Sequence, residues 1–441
     1  MSNKLFGVGI AVIFAALSLY VLHLIESLPD KNKDTQQVSA SRTQLTFWRN
    51  CGNATENKAY EELIADFEKA NPDIDIQMKS ILYSDYEIKL RTEIANGNPP
   101  DIMAIDSPTL ALYANNGSLL SIDSFMREEA NIEDFPEATL KGLSYKGKIY
   151  LSPIVESGIA LFYNKNLFKK AGIPEPSSDP AEPMTWEEVS EIASKVNNPA
   201  KGIIGIDPAQ GFGDGEAPAY FKTPFLWQFG AEVLSPDAST AAGYLDSKEA
   251  IEALQFFQDL YIRSGAASAE LPPASFESGR LAMAVQGSWA LKSMEQDANF
   301  TLGKDFGIAP LPKAKVQAVP NGGWALGISA KTKHRLEAWR FIKYATGYEG
   351  MKTYVSITGD LPARQSVAKA IPELNEYPAN IFMEQALNHS RNRPVTPAYS
   401  VVSSSIRTLF EEIGMGGRNV REAAADAVER INRGIDDIKS P

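Results

Sequence analysis

An α/β protein of two alternating regions is what this sequence predicts, and three observations carry the prediction. Its 441 residues exceed one ordinary domain and suit two or three. Between Gln44 and Ile105 the apolar pattern switches from period two to helical spacing and back, which reads as strand, helix, strand, helix, strand. A second region of the same mixture opens at Ile159. Hydrophobic residues at 44% and charged residues at 22% are globular values and exclude a largely disordered or collagen-like chain.

Before the body, Lys4 precedes an apolar run from Leu5 to Ile25, and a polar stretch, Glu26 to Thr43, follows. The run has about the 20 residues that a spanning helix needs and exceeds the usual signal-peptide core. Val38-Ser39-Ala40 has the small residues of a cleavage site but lies far beyond the run. The segment therefore reads as a cleaved export signal or as an uncleaved membrane anchor through residues 5–25. Either reading puts the body at the periplasmic or extracellular face of the cytoplasmic membrane. No cysteine closely follows the run, which disfavours a lipid anchor.

In the body, Gln44 to Trp48 alternates and ends on an aromatic, a first strand. Glu56 to Ala70 carries Ala59, Tyr60, Leu63, Ile64 and Phe67 at helical spacing and stops at Asn71-Pro72. Ile74 and Ile76 mark a second strand, Tyr86 to Ala95 a helix, and Asp101 to Ile105 a third strand. Such a run implies a parallel sheet covered by helices. Ligands of such sheets sit beyond the carboxyl ends of the strands, so Trp48-Arg49-Asn50 and Asp106-Ser107 are expected at a cleft mouth. Ile159 to Tyr163 is a strand. The four prolines between Gly172 and Met184 make an extended loop. Thr185-Trp-Glu-Glu188 is a capping box that opens a helix to Val196. Asp207 to Pro224 reads as a loop, Leu245 to Arg263 as an amphipathic helix, and Leu281 to Val285 and Trp324 to Ile328 as strands. Helix Leu336 to Thr346 follows, and the chain beyond Gly359 is mostly helical.

Lys plus Arg is 43 and Asp plus Glu is 55, a net charge of −12. The charges of the first 40 residues cancel (Lys4, Lys31 and Lys33 against Glu26, Asp30 and Asp34), so the excess sits on the body. Nucleic acid is thereby disfavoured as a partner. The single cysteine, Cys51, excludes an intrachain disulfide and a cysteine-built metal cage. With only His23, His334 and His389, no metal site and no cofactor are expected. Cys51 falls near the expected cleft mouth and reads as an inert thiol. Gly211, Gly213 and Gly215 have no tight strand before them and no clear helix after them, so a nucleotide loop is not inferred. Trp48, Trp227, Trp289 and Trp324 sit at predicted strand ends or beside glycines. Aromatic faces stack on the C–H faces of sugars, and ligand pockets join apolar walls to a few polar groups. Taken singly, each tryptophan reads more readily as core; Trp186 and Trp339, inside helices, are assigned to packing.

Six segments in order resemble the carbohydrate-type extracellular solute-binding proteins of ABC importers, the group of the maltose- and glycerol-phosphate-binding proteins. They are Ala95-Asn-Gly-Asn-Pro-Pro-Asp101; Leu161-Phe-Tyr-Asn-Lys-Asn-Leu-Phe-Lys-Lys-Ala-Gly-Ile173 with the capping box; Phe276-Glu-Ser-Gly-Arg-Leu-Ala-Met283 with Gly287-Ser-Trp289; Gly322-Gly-Trp324; Ala338-Trp-Arg-Phe-Ile342; and Gly359-Asp-Leu-Pro-Ala-Arg364. The resemblance covers about residues 44–440. The resemblance implies the two-lobe periplasmic-binding-protein fold of type II, with about three hinge crossings near Pro153, Pro310 and Gly359. Lobe 1 would be 44–152 and 311–358, and lobe 2 would be 153–310 and 359–441. The loop from Glu175 to Pro183 looks longer than the family's connection.

The resemblance also implies function. A monomer would capture a sugar or oligosaccharide between its lobes and deliver it to the permease of an ABC importer, with no catalysis. Ligand contacts would come from Trp48, Asp106 and Ser107 after the first and third strands, and from Glu156 and Ser157 at the first crossing. Gly287, Ser288 and Trp289 would form a turn facing Gly323 and Trp324. Trp227 would lie in a cleft segment, and Asp360, Arg364 and Arg393 would close the cleft. Either arginine could instead bind a phosphate or carboxylate, or form a surface ion pair. The competing readings are a secreted carbohydrate-active enzyme, a binder of a glycerol phosphate, polyamine or iron, and a sensory protein that feeds a receptor.

Overall fold

Leu45 and Phe47 are buried while Gln44 and Thr46, which alternate with them, are exposed, and this alternation decides which face of the first strand meets its helices. Ala59, Tyr60, Leu63 and Phe67 of the helix Ala54–Ala70 cover that face. Phe341, distant in sequence, meets both Phe47 and Phe67, with ring centroids 5.6 and 5.2 Å apart. Aromatic pairs at this spacing contribute about 0.5–1.5 kcal/mol beyond their burial. They recruit the helix Arg335–Ala345 to the core of the amino-terminal region. A computed structural model describes residues 42–213, 215–295 and 299–439. The apolar run 5–25 and the cleavage-type residues 38–40 lie outside them. Among the described residues no helix is long and apolar enough to cross a membrane.

The first sheet has the order Ile74–Leu82, Thr43–Cys51, Ile102–Asp106, Trp324–Ile328, Leu151–Pro153. Its first three strands are parallel, as the strand–helix alternation predicts, and the last two join antiparallel. The second sheet has the order Phe306–Ala309, Ile159–Asn164, Leu281–Gly287, Ile204–Asp207 and is mixed. The carboxyl-terminal helices Tyr399–Gly414 and Val420–Lys439 pack on this second side through Val402, Ile406, Phe410, Ala427 and Ile431. The capping box forms, with the Thr185 hydroxyl and the Glu188 carboxylate each bonding the other residue's backbone N–H. No strand or helix interrupts the chain from Gly172 to Met184.

The chain passes between the sheets after Pro153 and again between Ala309 and Trp324. Two short strand pairs accompany these passages, Val155–Glu156 with Leu361–Pro362 and Val319–Pro320 with Ser390–Arg391. Near Gly359 the chain touches both sides: Leu361 packs in the second core, Ala363 and Val367 in the first, and Ile381 and Phe382 in the second. Gly359 stops the helix Tyr348–Thr358 in a left-handed conformation, φ 75°. A helix-stop glycine and a hinge glycine look alike in sequence.

Two element readings change. The first strand continues past Trp48 to Cys51. The loop expected over Asp207 to Pro224 is half helix, since Ala217–Gln228 is helical with Pro224 inside it. Every residue from Pro218 to Gln228 is buried, so this helix has no polar face and shows no helical period.

Candidate functional site

A cavity of about 620 Å³ lies between the two sheets, within the range of about 300–1,000 Å³ typical of small-molecule pockets. Its first wall is the edge where the parallel strands end. Asp106 closes the third strand and is the register partner of Trp324, so both reach the cavity together. Tyr86 and Tyr83 meet the half-buried Trp324 ring edge-on, at 5.5 and 6.2 Å. Tyr86 is itself anchored, donating its hydroxyl proton to the Ala104 carbonyl at 2.7 Å. The indole is therefore braced where it meets the cavity.

The second wall carries Trp289, half-buried and braced by Tyr220 and Phe221 at 5.7 and 6.0 Å. Gly287 makes room for it. A Cβ added there would fall 2.3 Å from ring atoms of Trp289, so any other residue displaces the indole. Also in the lining, the Tyr220 and Ser157 hydroxyls lie 2.8 Å apart.

Arg393 joins the walls. It is buried, at 4% exposure, and donates to Asp106 at 2.9 Å from the first sheet and to Glu216 at 2.6 Å from the second side. Glu216 also accepts from the Tyr399 hydroxyl and, at 2.5 Å, from Ser403. Burial raises the Glu216 carboxyl, with Arg393 opposing. Glu156 accepts from the Thr139 hydroxyl at 2.5 Å and the Gly322 N–H at 3.2 Å, and burial raises it too.

At the far end, Arg49 pairs with Glu56 at 3.0 Å, and Asp360 stands near that pair. Burial, then the neighbouring Glu56 charge, pushes the Asp360 carboxyl from 3.8 up to about 7. The raised value sets a sign. Between about pH 4 and pH 7 the folded chain holds a proton that the unfolded chain has released, so stability falls as pH rises through this window. Asp360→Asn removes that slope. At pH 8 the variant is expected to be more stable than the parent by on the order of 4 kcal/mol, and at pH 4 by little. Urea titrations at the two pH values measure this, and equal gains at both would refute it.

Of the residues expected from sequence, Asp106, Glu156, Ser157, Trp289, Gly323, Trp324, Asp360 and Arg393 line this cavity. The others lie elsewhere, for physical reasons. Trp48 sits inside the lengthened first strand, opposite Lys79 in register, whose ammonium lies 4.1 Å over its ring. The residues beyond it, Asn50, Gly52 and Asn53, reach the cavity instead. Trp227 lies about 10 Å along its helix from Tyr220, buried in packing with Arg391 over its ring. Arg364 is a buried tie, donating to the carbonyls of Thr346 at 2.6 Å and Ala130 at 2.7 Å and to Asp134 at 3.2 Å. Ser107 lines a small recess behind Gly322. Gly287 and Ser288 shape the turn, where the Ser288 N–H donates to the Gly158 carbonyl at 2.9 Å.

Sequence reading missed Glu56, Tyr83, Glu216 and Tyr220. The capping Asn53 marks the helix start that carries Glu56 and was the available signal. Glu216 and Tyr220 open the helix that had no legible period. The glycine-rich stretch does lie between a strand, Ile204–Asp207, and this helix. It does not leave an open phosphate loop. Lys222 donates to the Ala209 and Gly211 carbonyls at 3.2 and 2.6 Å, the Gly211 N–H donates to Asp207 at 2.7 Å, and a carboxylate, Glu216, sits at the helix start.

A family model described as bacterial extracellular solute-binding protein matches residues 52–352. A mannitol-binding protein of Pseudomonas aeruginosa is 28% identical over 321 residues, 69% of this chain and 68% of its own length. An ABC transporter solute-binding protein of Thermotoga lettingae, bound with alpha-D-tagatose, aligns with a TM-score of 0.78 at 25% identity, covering 89% of this chain and 100% of that one. The GacH receptor of Streptomyces glaucescens, solved unliganded and with acarbose, aligns with a TM-score of 0.77 at 25% identity, covering 90% and 99%. With well over half its length matched and the two-lobe α/β architecture shared, this chain belongs to the bacterial extracellular solute-binding proteins.

Proposed function

We propose that the protein works outside the cytoplasmic membrane, captures a sugar or oligosaccharide between its lobes, and delivers it to the permease of an ABC importer. One observation carries the reading. Two half-buried tryptophans, Trp324 from one sheet and Trp289 from beside the other, line a single cavity with carboxylates between them. Flat apolar faces suit sugar C–H faces, and carboxylates accept pairs of hydroxyl hydrogen bonds. The relative named for mannitol and the neighbours holding tagatose and acarbose support a polyhydroxylated solute.

Binding is the action, with hinge closure driven by contacts to both lobes. Asp106, Glu156, Ser157, Gly323, Asp360 and Arg393 would supply the polar contacts. The protein would act as a monomer, exported or tethered through its amino-terminal segment. A thermal-shift screen of the purified protein against mono-, di- and oligosaccharides tests the reading. A bound sugar at 100 times its Kd adds about 2.7 kcal/mol of stability. A shift with the sugar recovered intact is expected. Recovery of cleaved sugar would instead show an enzyme.

A further inference from the structure

The cavity is more acidic than hydroxyl recognition requires. Glu56, Asp106, Glu156, Glu216, Glu277 and Asp360 line it, and among the described lining residues Arg393 is the one Lys or Arg. Arg393 is committed to Asp106 and Glu216. Arg49, behind the wall, is committed to Glu56. Two helix starts, at Asn53 and Glu216, add about half a positive charge each; Glu56 lies in the first turn of the one, and Glu216 opens the other with its carboxylate turned to Arg393, Tyr399 and Ser403. Glu156, Glu277 and Asp360 form no ion pair among the described residues. Asp360 is buried, at 7% exposure. A metal ion does not account for the excess, because no three or more His, Cys, Asp or Glu side chains among the described residues are grouped to hold one.

A buried carboxylate is costly unless it is paired. Lobe closure over a neutral sugar would give the ionised share of these carboxylates hydrogen bonds but no counter-charge. An ammonium group supplies a charge and several donors at once, and the aromatic walls attract cations through their ring faces. We propose that the cavity takes a cationic solute, an amine-bearing sugar or aminated polyol, whose ammonium group is held by Asp360 while its carbon skeleton lies against Trp289 and Trp324. This rests on the sugar-binding reading and narrows it.

The protonation of Asp360 offers a second readout. The titratable and charged groups around it are Glu56, Arg49, Tyr60 and Tyr354, with the exposed Lys292 beside Gly359. Burial and Glu56 hold the carboxyl at about 7. An ammonium beside it favours the ionised form, so binding near pH 7 releases a proton.

The test is calorimetric titration of the purified protein with amino mono- and disaccharides and aminopolyols. Each probe is run beside its hydroxyl and N-acetyl counterparts, and spermidine is included. The amine members are expected to bind about tenfold or more tightly than their neutral counterparts. Buffers of different ionisation enthalpy should reveal proton release at pH 7. Asp360→Asn should reduce the amine-to-hydroxyl preference about tenfold, with a thermal melt to verify folding. The proton release, measured on the unaltered protein, is independent of that variant. Neutral members binding as well as the amines would overturn the proposal and leave sugar binding standing. Binding of spermidine alone would overturn the sugar reading as well. Failure of every amine member to bind would also overturn the proposal.

Discussion

Arg393→Met lowers the stability of the folded protein by about 3–5 kcal/mol, read as a fall in denaturant midpoint at unchanged slope. The guanidinium is buried between Asp106 and Glu216 and lies 4.9 Å over the Tyr220 ring. Removing it leaves two carboxylates facing each other with their shared cation gone. The cost is that of stranded charge, larger than the net worth of the pairs themselves. The triple replacement Arg393→Met, Asp106→Asn and Glu216→Gln should therefore recover most of the loss. A loss below about 1 kcal/mol for Arg393→Met would mean that water reaches all three groups and that they behave as surface pairs.

Trp289→Ala weakens solute binding by about 30-fold or more, the 2 kcal/mol or greater effect of an aromatic hot spot. Trp324→Ala has a comparable effect from the opposite wall. Both rings are half-buried and braced by other aromatics, so they present a rigid face at little entropic cost. Trp48→Phe is the control, because that ring sits under Lys79 and not against the cavity. Calorimetric titration with the solute found in the thermal-shift screen measures all three. A Trp48→Phe loss as large as that of Trp289→Ala would move the site.

What could be read in advance followed the physics of local patterns. The alternation of Leu45 and Phe47, the helical spacing of Ala59 to Phe67 and the Thr185 capping box depend on residues within a few positions of one another. The helix Ala217–Gln228 was missed because it is buried all round, with no polar face to set a period. The misplacement of Trp48 has a related cause. An aromatic ended the visible alternation, but backbone pairing continued to Leu82 on the neighbouring strand and carried the first strand on to Cys51.

The two arginines show the same divide. Arg364 and Arg393 looked equivalent in sequence, each near turn residues and each free to meet an anion. Arg364 became a buried tie to Asp134 and backbone carbonyls, while Arg393 reached the cavity. Sequence alone determined the α/β class, the order of the strands along the chain, the acidic balance of the body and a family resemblance that named Asp106, Glu156, Ser157, Asp360 and Arg393 among the cavity's polar residues. Tertiary structure alone decided which carboxylates share a cation and which tryptophans line the cavity. Periodicity and caps arise from neighbours along the chain, whereas charge pairing and wall formation arise between residues such as Asp106 and Arg393, hundreds of positions apart, which meet only after both sheets have packed.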